Sequence, residues 1–182
     1  MWVNKMLSLN YQSDNFIFRD ITKEDFADVL NLYNQNDQNI YATGIDRRMS
    51  YNDINEKYLE VLVNSHEFFT GIFLDKDGYL QLIGVIKGRI DYENSEEAWI
   101  SSILVDNRYQ RQGIGTTAVE TLIDILNKNY DVKRLYIGII AGNSIGRHFW
   151  QKLDFCYFRT IEQYIMLNTL AEDFIIMKRE IM

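Results

Sequence analysis

The chain has 182 residues, 47% hydrophobic and 14% aromatic, which suits one domain with a filled core and excludes wholesale disorder. Its 26 acidic against 19 basic residues give a formal charge of −7, which argues against a nucleic-acid partner and is compatible with a cationic or amine-bearing one. A lone cysteine cannot close an internal disulfide, no apolar run reaches the ~20 residues of a membrane helix, and residues 1–5 lack signal-peptide character, so a cytoplasmic protein with no membrane role is expected.

Proline is absent, so breaks are read from Gly, Asn and Asp. No repeat or linker divides the chain, and a single domain over residues 1–182 is expected, with residues 1–14 as an N-terminal extension. Residues 16–19 read as a first strand. Thr22 with Asp25 forms an N-cap pair, and Phe26, Val29, Leu30 and Tyr33 follow at helical spacing. A second helix is expected over residues 52–64. Residues 68–74 and 80–90 read as strands joined by the turn Asp75-Lys76-Asp77-Gly78. A fourth strand covers residues 98–105.

The period then changes. Ala118, Val119, Leu122, Ile123 and Leu126 form one stripe of a helix. Residues 134–140 read as a fifth, buried strand, 143–153 as a short helix, and 155–160 and 173–179 as closing strands. Cys156 is expected to be a small buried side chain in its strand. Helices mixed with hairpins indicate an α+β fold rather than a strictly alternating one.

The most informative stretch joins the fourth strand to the long helix and contains Gln110, Arg111, Gln112, Gly113, Ile114, Gly115 and Thr116. A helix start leaves its first N–H groups unpaired and carries partial positive charge. Gly113 and Gly115 carry no Cβ to hold a ligand's phosphates away from the backbone. Together these make an anion cradle suited to a diphosphate, with Arg108 and Arg111 as charged neighbours. The spacing is neither that of a nucleoside-triphosphate loop nor that of a dinucleotide fingerprint, which needs a third glycine.

Here the sequence resembles the GNAT acetyltransferase superfamily, whose coenzyme motif Gln/Arg-x-x-Gly-x-Gly/Ala is matched by Gln110-Arg111-Gln112-Gly113-Ile114-Gly115. Asn143, Phe149-Trp150 and Phe155 continue the likeness, and residues 97–113 are locally similar to ribosomal-protein N-terminal acetyltransferases. The resemblance implies a mixed, largely antiparallel twisted sheet flanked by helices, of the three-layer α/β type. It implies acetyl-coenzyme A as co-substrate, no metal, a small-molecule or peptide amine as acceptor, and a possible homodimer. Ile103 and Val105 would pair with the pantetheine arm between the fourth and fifth strands. The Leu104–Val105 backbone would polarise the thioester carbonyl. The N–H groups from Arg111 to Thr116 would hold the diphosphate, and Asn143, Arg147 and Trp150 would border the coenzyme.

Two positions depart from the family pattern. The fifth strand carries Gly138 where many members place a Glu, so Glu97, on one face of the fourth strand with Trp99, is the expected base through water. Trp150 replaces the Tyr that usually serves as general acid, and an indole cannot supply a proton in practice. A thiol of pKa about 8.5 can leave as thiolate, so turnover is expected to slow rather than stop. A weak coenzyme-binding module is the alternative reading. Tyr33, Tyr41, Tyr51 and Tyr58 fall where the family builds its acceptor pocket.

Overall fold

The computed structural model describes residues 7–12, 16–36, 39–167 and 170–181. An eight-stranded mixed sheet runs through the molecule in the order β1-β2-β3-β4-β5-β6-β8-β7. Its strands are β1 (Tyr11–Gln12), β2 (Ile17–Asp20), β3 (Glu67–Lys76), β4 (Tyr79–Ile90), β5 (Glu97–Val105), β6 (Arg134–Ile140), β7 (Cys156–Leu167) and β8 (Leu170–Glu180). Every pairing is antiparallel except β5 with β6, whose crossover is a long helix. The helices are α1 (Phe26–Asn34), α2 (Ile40–Thr43), α3 (Tyr51–Val63), α4 (Ile114–Tyr130) and α5 (Ser144–Lys152).

Local chemistry accounts for the boundaries. Ser50 caps α3 by accepting from the Asp53 amide, while the Asp53 carboxylate accepts from the Ser50 amide in return. Asp77 and Gly78 take left-handed φ values of 55° and 86°, the conformation that closes the two-residue β3–β4 hairpin. Asp131 and its φ of 57° end α4.

The sheet separates two cores. α4 and α5 cover one face, where Leu122, Leu126, Leu135 and Phe155 are almost fully buried. α1 and α3 cover the other with Phe26, Ile54, Phe73 and Leu104. Each aliphatic chain withdrawn from water stabilises the fold by about 1.5–3 kcal/mol. Leu7 and Leu9, ahead of the first strand, also lie in the α4-side core.

Two elements escaped the sequence reading. β1 has two residues and α2 four, too few for a period to register. One expectation is corrected: Cys156 lies in a strand but is exposed, because β7 is the sheet's outer edge and nearly all its side chains face solvent.

Candidate active site

The site is a gap between two neighbouring strands. β5 and β6 pair from Glu97/Arg134 to Ile100/Ile137 and no further, although both strands continue. The cause lies on the opposite edge of β5. Lys87 pairs with Ser102 but Gly88 with Ile100, so Ser101 is an extra residue and β5 is bulged. A bulge bends its strand, here away from β6. Gly88 permits the bend, because a Cβ there would lie 2.3 Å from the Trp99 carbonyl oxygen and 2.5 Å from Phe68.

Strand alternation fixes which backbone groups face the gap. The Asp106 amide donates to the Ile83 carbonyl at 2.8 Å, so Leu104, two residues earlier, also directs its N–H and C=O to β4. Ile103 and Val105 direct theirs into the gap, as expected for groups that pair with an extended arm. For Leu104 the expectation is corrected: its amide belongs to the β4 ladder and its side chain is buried against α1 and α3. The donors that face the gap are Ile103 and Val105.

At the open end of β5 the chain turns into α4. Asp106 accepts from the Arg108 amide and guanidinium at 2.8 and 2.7 Å, and Arg108 holds its carboxyl down at about 2. Arg108 is thereby committed within the loop. Gln110 donates from Nε2 to the Val105 carbonyl at 2.8 Å and to Asn107, and Gln112 donates to the Arg108 carbonyl at 2.8 Å. These glutamines, expected at the coenzyme, use their side chains to brace the loop against β5. Arg111 and Gly113 adopt left-handed φ values of 59° and 82°. Arg111 is exposed and pairs with no group among the described residues.

Gly113 is the N-cap of α4, and the first amide that bonds within the helix is that of Thr117, to the Gly113 carbonyl. The N–H groups of Ile114, Gly115 and Thr116 are therefore free at a positive helix end. A Cβ on Gly113 would meet nothing within 4 Å. This open cradle fits a diphosphate. Gly115 is different, since its Cβ would make ordinary contact with Phe149 at 3.4 Å.

The far wall comes from the β6–α5 junction. Asn143 caps α5 by accepting from the Gly146 amide at 2.7 Å, and its Nδ2 donates to the Tyr41 carbonyl, leaving one N–H. Arg147 folds back to donate from Nη2 to the Ala141 carbonyl at 2.8 Å, while its Nε is buried without a partner. Trp150 is 7% exposed and packs edge-on between Phe149 and Phe155, both at 5.0 Å between centroids. Its role is packing that fixes α5 against the sheet.

Glu97 is not brought to the gap. It sits at the paired end of β5, bonded to Arg134 at 2.6 Å, about 20 Å along the strand from Ile103. A base must reach its proton directly or through one water, so that separation removes Glu97 from the role. Gly138 does face the gap, but the Phe174 ring lies over it: a Cβ there would be 2.0 Å from Phe174 Cζ. The aromatics divide. Burial pushes the Tyr33 hydroxyl up to about 12, and Ser102 opposes that rise without a well-formed hydrogen bond. Tyr51 and Tyr58 both pack on Phe26 at 5.3 Å, whereas Tyr41 borders the end of β6.

A strand gap, outward amides and a free helix start occur together in this order. A model described as the Acetyltransferase (GNAT) family matches residues 26–155. The chain belongs to that family. It is thus a GNAT-fold, acetyl-coenzyme A-dependent N-acetyltransferase. It is 21% identical over 128 residues to N-alpha-acetyltransferase 30 of Schizosaccharomyces pombe, covering 68% of this chain and 84% of the relative. It is 32% identical over 57 residues to the spermine/spermidine N(1)-acetyltransferase of Bacillus subtilis, covering 31% of this chain and 38% of that one. The fold superposes on spermidine N-acetyltransferase from Vibrio cholerae, in complex with CoA and spermine, with a TM-score of 0.79, 16% identity and coverage of 92% and 96%. Ribosomal-protein-S5-alanine acetyltransferase from Vibrio fischeri gives 0.77, 17%, and 94% and 96%.

Proposed function

We propose that this GNAT chain acetylates a primary amine by direct attack, with coenzyme and acceptor bound together in the β5–β6 gap. The observation that carries the reading is the parting of β5 from β6 beyond Ile100 and Ile137, directly below the free start of α4. Acetyl-coenzyme A supplies an activated acetyl group, and the chain's residues hold and orient it. The amides from Arg111 to Thr116 grip the diphosphate, aided by the unpaired Arg111. Ile103 and Val105 pair with the arm in place of the missing strand. Ile103 is the outward donor nearer the closed end, so its N–H is aimed at the carbonyl oxygen on which charge develops. One N–H of Asn143 remains for the arm, and Arg147 borders it.

The attacking amine must lose a proton. Phe174 covers Gly138 and Arg134 holds Glu97, so no carboxylate of β5 or β6 serves, and the proton passes to water. The thiol leaves as thiolate, because Trp150 is no acid. Leu7 and Leu9 in the core support one domain that includes the N-terminal segment. A charge of −7 and a lone cysteine favour a cytoplasmic setting away from nucleic acid and membranes, and among the described residues no helix is long and apolar enough to cross one. Exposed Tyr157, Phe158 and Met166 on edge strand β7 favour a homodimer. Thiol release from acetyl-coenzyme A over a panel of small and peptide amines tests the reading. Tight coenzyme binding with no thiol release on any amine would instead make the chain a binding module, as Gly138 and Trp150 would suit.

A further inference from the structure

Glu172 is a half-buried carboxylate on β8 that no hydrogen bond or ion pair engages among the described residues. A carboxylate that has left part of its water behind without a partner is costly, and such groups are normally paired. Other carboxylates of the sheet show the contrast. Glu97 is held by Arg134, and the Asp173 carboxylate accepts from the Gln163 amide at 3.0 Å.

The surroundings of Glu172 are aromatic. A Cβ placed on Gly142 would lie 3.8 Å from Glu172 Oε2 and 3.8 Å from Tyr41 Cε1, so the carboxylate and that ring border the same point just beyond β6. The Asn143 side chain donates to the Tyr41 carbonyl, which fixes α2 against this point. Phe174, two residues on, shares the Glu172 face of β8 and carries the Tyr164 ring at 5.1 Å. Tyr164 reaches it through a second bulge: the β7–β8 register shifts between Ile161 and Ile165, and Gln163 takes a φ of 49° held by the Asp173 bond. A strained residue pinned by a carboxylate and a ring re-aimed by a bulge make a built feature. An anion beside aromatic rings is the chemistry that receives an ammonium ion.

Distance decides which ammonium. The acetyl carbonyl is placed at Ile103, which the parallel register and the bulge at Ser101 set level with Ile139 or Ile140 across the gap, and these pair with Ile175 and Phe174. Glu172 lies two to three residues farther along β8, about 7–10 Å away. It is out of reach of the nitrogen being acetylated but on the same face and in the same opening. We propose that Glu172, with the rings of Tyr41, Phe174 and Tyr164, binds a second ammonium group of the acceptor and so selects diamines or longer polycations over monoamines. The proposal rests on the acetyltransferase reading above, and the acidic surface of the chain would concentrate such acceptors.

The test measures thiol release from acetyl-coenzyme A by the full chain and by Glu172→Gln and Glu172→Asp. Acceptors are linear diamines of increasing length and monoamines of matching length. In the native chain kcat/KM should peak at a diamine long enough to bridge the gap to Glu172. Glu172→Gln should raise KM for that diamine about tenfold more than for its monoamine, with kcat less affected and the length optimum lost. Glu172→Asp should recover part of the preference. Titration calorimetry of the same diamine on the coenzyme-loaded protein should show weaker binding to Glu172→Gln at an unchanged melting temperature. A diamine-to-monoamine ratio unaltered by Glu172→Gln overturns the subsite while leaving the acetyltransferase reading intact. If the native chain releases no thiol with any amine, that reading fails. Calorimetry then decides the subsite alone: equal diamine affinity in the native chain and Glu172→Gln ends it.

Discussion

The two halves of the gap are built by opposite means. The proposed coenzyme half is made of backbone: outward amides of Ile103 and Val105, free amides at the start of α4, and a loop braced by Gln110 and Gln112. The proposed acceptor half is made of side chains brought from α2, β7 and β8, with Phe174 filling the space above Gly138. Backbone recognition depends on conformation, and short sequence signals encode conformation. Side-chain recognition depends on which distant residues meet, so a site of this kind can keep its coenzyme and change its acceptor.

The contrast can be broken most sharply at Gly113. Gly113→Glu places a charge beside the diphosphate and a side chain at a φ of 82°, with no neighbour to clash. Coenzyme A affinity should fall at least about a hundredfold by calorimetry while the protein still folds, and Gly113→Ala should show the smaller loss due to conformation alone. Unchanged affinity in Gly113→Glu would disprove the cradle. The acceptor half is tested next by pH. With water taking the proton, kcat/KM for an alkyl amine should rise about tenfold per pH unit toward the amine's own pKa of about 10.4. A plateau near neutrality would reveal a base on the protein.

Gly138→Ala should cost about 1–3 kcal/mol in denaturant unfolding, because its Cβ collides with the Phe174 ring. Adding Phe174→Leu should recover much of that loss, and purely additive effects would contradict the contact. Asp106 offers a smaller, signed effect. Its folded pKa, about 2, lies below the ordinary 3.8, so its bonds to Arg108 stabilise the loop fully above about pH 4. That contribution fades as pH falls toward 2. Asp106→Asn should weaken coenzyme binding severalfold at neutral pH and flatten the acid limb of the stability curve. Smallest of all, Gly115→Ala should leave stability within about 0.5 kcal/mol and coenzyme affinity within about twofold, since its Cβ has room.

The sequence was most readable where one chemistry fixed one geometry. The α4 stripe and the loop from Gln110 to Thr116 lay where periodicity and glycine placed them. Gln110 showed the limit of motif reading, because its side chain braces β5 instead of reaching outward. Glu97 was misplaced for a physical reason. Alternation correctly put it on the face of Trp99, but alternation says nothing about where β6 diverges, and the bulge that sets this depends on pairing with β4. Trp150 occupies the expected position on α5, yet packing with Phe149 and Phe155 defines what it does. Glu172 carries no local signal, for it matters only once β8 lies beside β6 and faces α2.

That placement also sets when the enzyme can come into being. β8, which follows the other described strands in the chain, is inserted between β6 and β7, and its Asp173 carbonyl receives the Ala141 amide at the edge of the gap. Until residues 170–180 join the sheet, β7 has no partner strand and one side of β6 lies bare. A chain can carry the loop from Gln110 to Thr116 and still lack this wall of the gap, which arrives only when β8 is in place.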